Sequence, residues 1–536
     1  MTDAMNIDDI EPTLFDCLDA ALEELGAPQG VTAELAFEEP PSAEMGDLGL
    51  PCFPLAPHLE WSPAAIADEL ADRLADELDR RGDRLADSVE NQGPYVNISF
   101  DDGALATLVV SQALDERPFG ADRVEDCRRW VVEFSAPNTN KPQHVGHVRN
   151  DLLGETVSTI AEFAGHDVTR VNLINDRGIH ICKSMVAYQL DDDPQTPEDT
   201  GKKGDHLVGD YYVEFNDKLQ QEYDSWLETE EAEKEFDEWI GSPESRHAVE
   251  EETDGLSDAQ LKQVKEDTEL DDPLRTDLIR TAFKVDFRDQ YFNEYSELGA
   301  RAKEMLRRWE EGNEEVRRLW KEMNDWVLDG FEETYDRLGV DFDQIDWESE
   351  TYEEGREVVE RGLEEGLFEQ KDDGAVVFDL NRIGMDGEKV VLRSDGTSVY
   401  ITQDLGTALR RRNQLDFDRM TYVVGDEQDY HFDVLFGILS ELDPDLEGRL
   451  HHLSYGMVDL PSGRMKSREG EVVDADDLMD EMHDLAAQAV RERHGELADE
   501  EIDRRAEIIG MAALKFHILD YNPRTRVQFD PEKSIA

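Results

Sequence analysis

The stretch SAPNTNKPQHVGHVRN, Ser135 to Asn150, places two prolines and two histidines between a short apolar run and a helical pattern. Upstream lies RRWVVEFSAPN, in which Trp130 to Phe134 reads as a short buried strand. Downstream, VGHVRNDLLGETVSTIAEFAG sets Val145, Val148, Leu152, Val157, Ile160 and Phe163 near one helical face and stops at Gly165. The next segment, HDVTRVNLIND, is again strand-like. Strand, loop, helix and strand in this order predict a parallel βαβ unit. The quoted loop then falls at the carboxyl end of its strand, where open α/β sheets bind ligands.

Working outward, MTYVVGDEQDYHFDVLFGILSEL repeats the grammar: a strand over Thr421 to Val424, a turn at Gly425 and a helix to about Leu442. A further strand in LHHLSYGMVDL leads into PSGRMKSREGEVV, and helical patterns follow. The fold class expected is α/β: two βα units forming halves of one doubly wound, Rossmann-type parallel sheet, with a small N-terminal α+β domain and a helical C-terminal segment. The N-terminal domain is placed at 1–115, from two amphipathic helices, IEPTLFDCLDAALEELG and SPAAIADELADRLADEL, and the strand GPYVNISF. The sheet domain is placed at 126–480, with insertions at about 191–320 and 348–398, and the helical segment at 481–536.

Composition bounds the rest. The 536 residues hold 54 Lys plus Arg against 129 Asp plus Glu, a formal net charge of −75. The acids are spread from end to end, as in DELADRLADELDRRGDRLAD, so they read as solvated faces rather than a disordered tail. This balance is similar to proteins of salt-accumulating halophiles: molar salt screens the repulsion, and dilute buffer lets it oppose the compact state. Cys17, Cys52, Cys127 and Cys182 make neither a metal-ligand pattern nor a disulfide framework. MTDAMNIDDIEPTLFDCL shows no basic flank followed by an apolar core, and no apolar run is long enough to span a bilayer, so a cytoplasmic, soluble protein is expected.

Two loops carry the chemistry. His144 and His147 flank Val145-Gly146 at a helix start, where free N–H groups and a partial positive charge suit phosphate. Two imidazoles there can donate to phosphoryl oxygens, and Gly146 lets a flat base approach the backbone. This points to ATP phosphates during adenylate formation; the alternative is an ordinary helix cap with surface histidines. Metal binding lacks a third ligand at diagnostic spacing. RMKSREG, Arg464 to Gly470, concentrates positive charge in an acidic chain, as a polyanion site would, or it is a solvated basic loop.

Together HVGH and RMKSR resemble the HIGH and KMSKS signatures of class I aminoacyl-tRNA synthetases. More narrowly, SAPNTNKPQHVGHVRN, INDRGIHICKSM, KGDHLVGDYYV, YITQDLGTALRR and GMVDLPSGRMKSREGEVV resemble the arginyl-tRNA synthetase family. The resemblance implies ATP-dependent attachment of L-arginine to tRNA(Arg) through an arginyl-adenylate. ATP enters as its Mg²⁺ complex, no metal is bound by the protein, and a monomer without membrane or DNA partners is expected. In RMKSR, Ser467 stands where the family signature has its second lysine, and Lys141 before HVGH is the cation implied in its place. His144, His147, Lys141, Lys466 and Arg468 are the implied catalytic groups, with Gly146, Arg464, Met465 and Ser467 completing the ATP site.

A guanidinium offers planar donors, so its pocket needs carboxylates in fork geometry. Tyr400 and Asp404 in VYITQDLG are four apart, on one face of a helix. The resemblance implies that Asp404 grips the guanidinium beside Tyr400, that Glu348 and Gln428 complete the pocket, and that Asn138 holds the amino acid's backbone groups. It also implies that the N-terminal domain meets the tRNA elbow, with Tyr95, Asn97 and Phe100 against a splayed base. In the family a helical anticodon-binding domain follows the region of DYNPRTRVQFDPEKSIA, so the sequence is read as truncated before it. Two alternatives follow: a non-catalytic tRNA- or arginine-binding remnant, and an adenylating ligase with a non-tRNA acceptor.

Overall fold

The computed structural model describes residues 10–28, 30–42, 45–81, 85–114, 120–121, 124, 126–240, 273–459, 473–530 and 533–534. The chain divides into two compact units, Met1–Arg123 and Val124–Ala536. In the first, helices α1 (Ile10–Glu24) and α2 (Pro63–Arg81) turn Leu14, Leu18 and Leu22, and Ile66, Leu70 and Leu74, into one core. That core covers an antiparallel sheet in the order β1–β3–β2, made of β1 (Leu48–Pro51), β2 (Ala86–Gln92) and β3 (Tyr95–Phe100).

The second unit is organised by a five-stranded parallel sheet. β4 (Arg129–Glu133) is central, β5 (Asp167–Ile174) and β6 (Gln344–Trp347) lie to one side, and β10 (Arg419–Gly425) and β11 (Leu450–Tyr455) to the other. Val131 pairs with both Thr169 and Met420. Successive residues feed opposite faces: Val131 and Met420 enter the core shared with α6 (Tyr400–Leu415) and α7 (Asp429–Leu442), while Val132 and Val423 enter that of α3 (Val145–Ala164) and α9 (Asp499–Leu519). Covering both faces explains why these strands read as unbroken apolar runs. The chain leaves the central strand in both directions, so the ends of β4 and β10 frame a topological switch point.

The interruptions have their own structure. Of 191–320, the described residues are mostly helical; α4 (Gly204–Trp226) packs with α5 (Glu314–Leu338) and an aromatic core that includes Tyr223, Trp226, Phe287 and Tyr291. Within 348–398 an antiparallel sheet forms from β7 (Phe368–Gln370), β8 (Val376–Asp379) and β9 (Glu388–Leu392). In the last segment α8 (Ala475–Arg493) and α9 pack so closely that a Cβ on Gly510 would lie 2.8 Å from Met482 O. Met479, Met511, Leu514 and Phe529 share a core with Val145 and Val148, and β13 (Val527–Gln528) pairs with β12 (Val458–Asp459).

Ile160 and Phe163 are 63% and 46% exposed, although they are in phase with Val145 and Leu152. Along the second half of α3 the buried face runs through Gly154, Ser158 and Ala161, so Ile160 and Phe163 fall beside it; nearer the start the core also takes in Arg149, Asn150 and Asp151.

Candidate active site

The loop after β4 begins with a backbone that most residues avoid. Ser135 and Ala136 have φ of 73° and 47°, each costing on the order of 1–3 kcal/mol in a non-glycine residue. Three asparagines hold them there. Asn150 Oδ1 accepts the Ser135 N–H at 2.6 Å, Asn172 Oδ1 accepts that of Ala136 at 3.1 Å, and Asn175 Nδ2 donates to Ala136 O at 3.0 Å. Tyr335 OH lies 2.6 Å from Ser135 Oγ and accepts from Asn172 Nδ2 at 3.1 Å. The kink delivers Asn138 to a parallel bridge with Asn175, extending β4 beside β5, and leaves Asn138 exposed among buried neighbours.

His144 is the N-cap of α3. Its Nδ1 accepts the Gly146 N–H at 3.1 Å, and the His147 Nδ1 accepts the His144 N–H at 3.2 Å, with the ring centroids 4.0 Å apart. Burial first, then the charge of Lys141, pushes His144 down to about 4; burial, His144 and Lys141 push His147 well below its ordinary value. Both rings are neutral at pH 7, and with each Nδ1 used as an acceptor the proton sits on Nε2. The outcome is two Nε2–H donors at a helix start. The helix's own first amides are not available as expected from sequence: Gly146 N–H is used by His144, and Val145 N–H donates to Val473 O at 3.1 Å. Burial lowers the Lys141 ammonium.

Arg464, Met465, Lys466, Ser467 and Arg468 lie outside the described residues, but both flanks of their loop meet α3. On the exit side, Val473–Ala475 runs along the histidine loop: His144 forms an antiparallel bridge with Asp474, and Ala475 N–H donates to Gln143 O at 3.0 Å. On the entry side, the fully buried Arg149 donates to the carbonyls of Gly456, Pro523 and Thr525 at 2.8, 3.0 and 2.9 Å. The flanks of the basic stretch, hundreds of residues away in sequence, thus both meet the first turns of α3.

The candidate amino-acid pocket gathers acids from different elements. Glu348 follows β6 at the start of a short helix, and burial pushes its carboxyl up to about 7, with Asp176 and Asp404 adding to the rise against Arg177 and the Gln403 amide, 3.3 Å away. Asp404 on α6 pairs through Oδ2 with His431 Nε2 at 2.7 Å. Asp176, beside Asn175, accepts Ser349 N–H at 2.8 Å and Ser349 Oγ–H at 2.6 Å, so the end of β5 is clamped to the Glu348 helix. Asn138, Glu348 and Asp404 are thereby tied to the same sheet edge. Tyr400 and Gln428 are not drawn in: both are exposed, Tyr400 by 84%, and neither hydrogen-bonds to Asp404 or Glu348.

Sequence reasoning missed Asp176 and His431, although both sit in family-like strings, INDRG and GDEQDYH. It also missed Arg411, seven residues after Asp404 and fully buried. Arg411 donates to Glu133 and, at 2.7 Å, to Asp346 Oδ2. That pairing pins α6 to β4 and β6 and neutralises two acids that would otherwise compete for a guanidinium.

In the first unit, Tyr95 and Asn97 line a cavity of about 380 Å³ with Pro40, Met45, Gly49 and Pro94, and Phe53 meets Tyr95 edge-on at 5.8 Å. Phe100 does not line it and packs against the unit's core.

A doubly wound sheet with a histidine-capped helix at its switch point and a second loop laced to that helix defines the catalytic unit of a class I tRNA synthetase. The profile for "tRNA synthetases class I (R), catalytic domain" matches residues 109–238 and 253–530, and that for "Arginyl tRNA synthetase N terminal domain" matches 13–100. The arginine–tRNA ligase of Treponema pallidum is 40% identical over 506 residues, covering 94% of this chain and 73% of that protein. That of Porphyromonas gingivalis is 41% identical over 519 residues, covering 96% and 76%. The Thermus thermophilus arginyl-tRNA synthetase structure shares the fold, with a TM-score of 0.61 at 21% identity over 98% of this chain and 78% of that one. The Plasmodium falciparum enzyme gives 0.60 at 14% over 99% and 78%. The chain belongs to the arginyl-tRNA synthetase family.

Proposed function

We propose that this chain, an arginine–tRNA ligase, forms arginyl-adenylate at the C-terminal edge of the sheet and transfers the arginyl group to tRNA(Arg) there. Asn138 holds the amino acid's backbone groups, while Asp404 and Glu348 receive the guanidinium. The arginine carboxylate attacks the α-phosphorus of ATP and the bond to pyrophosphate breaks. The Nε2–H groups of His144 and His147 donate to phosphate oxygens as charge develops, a preorganised contribution that needs no change of protonation. Lys141, Lys466 and Arg468 are the cations assigned to the pyrophosphate, which leaves as its Mg²⁺ complex. Gly146, Arg464, Met465 and Ser467 frame the nucleotide, and the exposed Tyr400 and Gln428 are assigned by family resemblance to pack beside the guanidinium and to complete the pocket. The terminal 2′-OH of tRNA then attacks the adenylate carbonyl, and AMP leaves.

The observation that carries this reading is the reciprocal cap in which the Nδ1 atoms of His144 and His147 both accept backbone N–H groups, beside a backbone strip, Val473–Ala475, that follows the basic stretch. Tyr95 and Asn97 take a splayed tRNA base at the cavity of the first unit, with Phe100 as support from the core. No helix among the described residues is long and apolar enough to cross a membrane. The acidic composition supports a salt-rich cytoplasm as the working environment, with the enzyme acting as a monomer. Charging of tRNA(Arg) with radiolabelled arginine in molar KCl tests the reading. Pyrophosphate exchange that proceeds equally without tRNA and yields no charged tRNA would reject it in favour of another acceptor.

A further inference from the structure

The segment KGDHLVGD, Lys203 to Asp210, has no part in the proposed reaction, yet it is built tightly into the catalytic unit. Three glycines permit this. A Cβ on Gly204 would lie 2.0 Å from Trp326 O, one on Gly330 would lie 2.4 Å from Asp205 Oδ1, and one on Gly209 would lie 2.9 Å from Pro142 Cδ. The start of α4 is thus pressed between α5 and the loop that carries Lys141 and Pro142.

There a charged cluster closes on the first residues of α8. Lys203 Nζ donates to Asp476 Oδ2 at 2.6 Å, Thr334 Oγ1 at 2.5 Å and Asp205 Oδ2 at 3.2 Å. His206 Nε2 lies 2.9 Å from Asp476 Oδ2 and 3.6 Å from Asp474 Oδ1. Asp205, His206 and Asp476 are spaced as metal ligands would be, but the Lys203 ammonium already supplies the positive charge among them. Burial alone would raise the Asp476 carboxyl, yet His206 and Lys203 hold it down at about 2. Asp474 in turn caps α8 by accepting the Asp476 N–H at 2.8 Å.

Asp474 lies in, and Asp476 directly follows, the strip that is hydrogen-bonded to the histidine loop through Val473 O and Ala475 N–H. We infer that Lys203 and His206 are positioning residues for adenylate formation, holding the Val473–Ala475 strip and, through it, the Nε2–H groups of His144 and His147 in register with the ATP phosphates. The inference rests on the phosphate role proposed above for the two histidines. A displacement of about 1 Å in such donors is enough to slow a reaction by roughly 10²-fold.

The test is tRNA-dependent ATP–pyrophosphate exchange in molar KCl, with folding followed by circular dichroism. Lys203→Met should lower kcat by roughly 10- to 10²-fold and leave the KM for arginine unchanged, because the pocket acids are carried on other elements. His206→Gln places an amide nitrogen where Nε2 lies and should stay near wild type, whereas His206→Leu should fall with Lys203→Met. If Lys203→Met does not fold, the Gln and Leu pair carries the test. In a background with both His144→Ala and His147→Ala the Lys203→Met loss should shrink to less than about twofold, because groups acting through one another are not additive. Multiplying losses, a parallel rise in arginine KM, or equal behaviour of the Gln and Leu variants would overturn the inference. Unchanged exchange in His147→Ala alone would instead remove the histidine reading on which it stands.

Discussion

Arginine binding should expel a proton from Glu348. The carboxyl is raised from 4.5 to about 7, chiefly by burial, so at pH 7 about half of the free enzyme carries it protonated. Keeping it ionised without a partner costs about 3 kcal/mol at 1.36 kcal/mol per unit, and a guanidinium beside it removes that penalty. Because the bound state requires the carboxylate, apparent affinity should rise with pH through the Glu348 value: about elevenfold weaker than its limit at pH 6, about twofold at pH 7, and close to the limit at pH 8. The same arithmetic gives about 0.9, 0.5 and 0.1 protons released per arginine at these three values. Titration calorimetry at pH 7 in phosphate and in Tris, whose ionisation enthalpies differ widely, reads that number directly. Glu348→Gln should abolish the buffer dependence and flatten the pH profile, which separates Glu348 from the Asp404–His431 pair. A binding enthalpy that is the same in both buffers, with affinity flat from pH 6 to 8, would refute the placement of the guanidinium against Glu348.

Asp404→Asn keeps the size but removes the charge, and arginine affinity should fall by about 2–5 kcal/mol; equal binding by equilibrium dialysis would take Asp404 out of the pocket. Asn172→Ala removes the acceptor that holds Ala136 at positive φ, so the kink should relax and the KM for arginine should rise at least several-fold, with the KM for ATP little changed; an ATP-side defect alone would contradict the tie between this kink and Asn138. At a net charge of −75, folding should require salt, and circular dichroism should show loss of structure on dilution to low ionic strength. Over about 1 to 3 M KCl, tRNA affinity should change only shallowly, because recognition rests on stacking and hydrogen bonds; a steep fall while the protein stays folded would place phosphate contacts in command.

Short-range order is written in neighbouring residues. The periodicity around HVGH and around YVVGDEQDYH specifies strand, loop and helix, since apolar spacing of two or of about 3.6 is a property of neighbouring residues. The histidine spacing already contains the reciprocal cap, because positions three apart at a helix start meet within one turn. The identity of the basic loop's partner was legible only through resemblance, and the sewing of its flanks to α3 only in the fold. Tertiary structure decided which charges are free. In a chain with 129 acids and 54 Lys plus Arg, the letters do not distinguish Glu133 and Asp346, neutralised by Arg411, from Glu348, partly buried without an ion pair among the described residues. Nor do they distinguish the Lys203 cluster from the solvated pairs on the outer helices. Lys203 meets Asp476 across 273 residues of chain, and Arg411 meets Glu133 across 278. Charge is read from composition, but its availability depends on burial and on partners that only folding brings within about 3 Å.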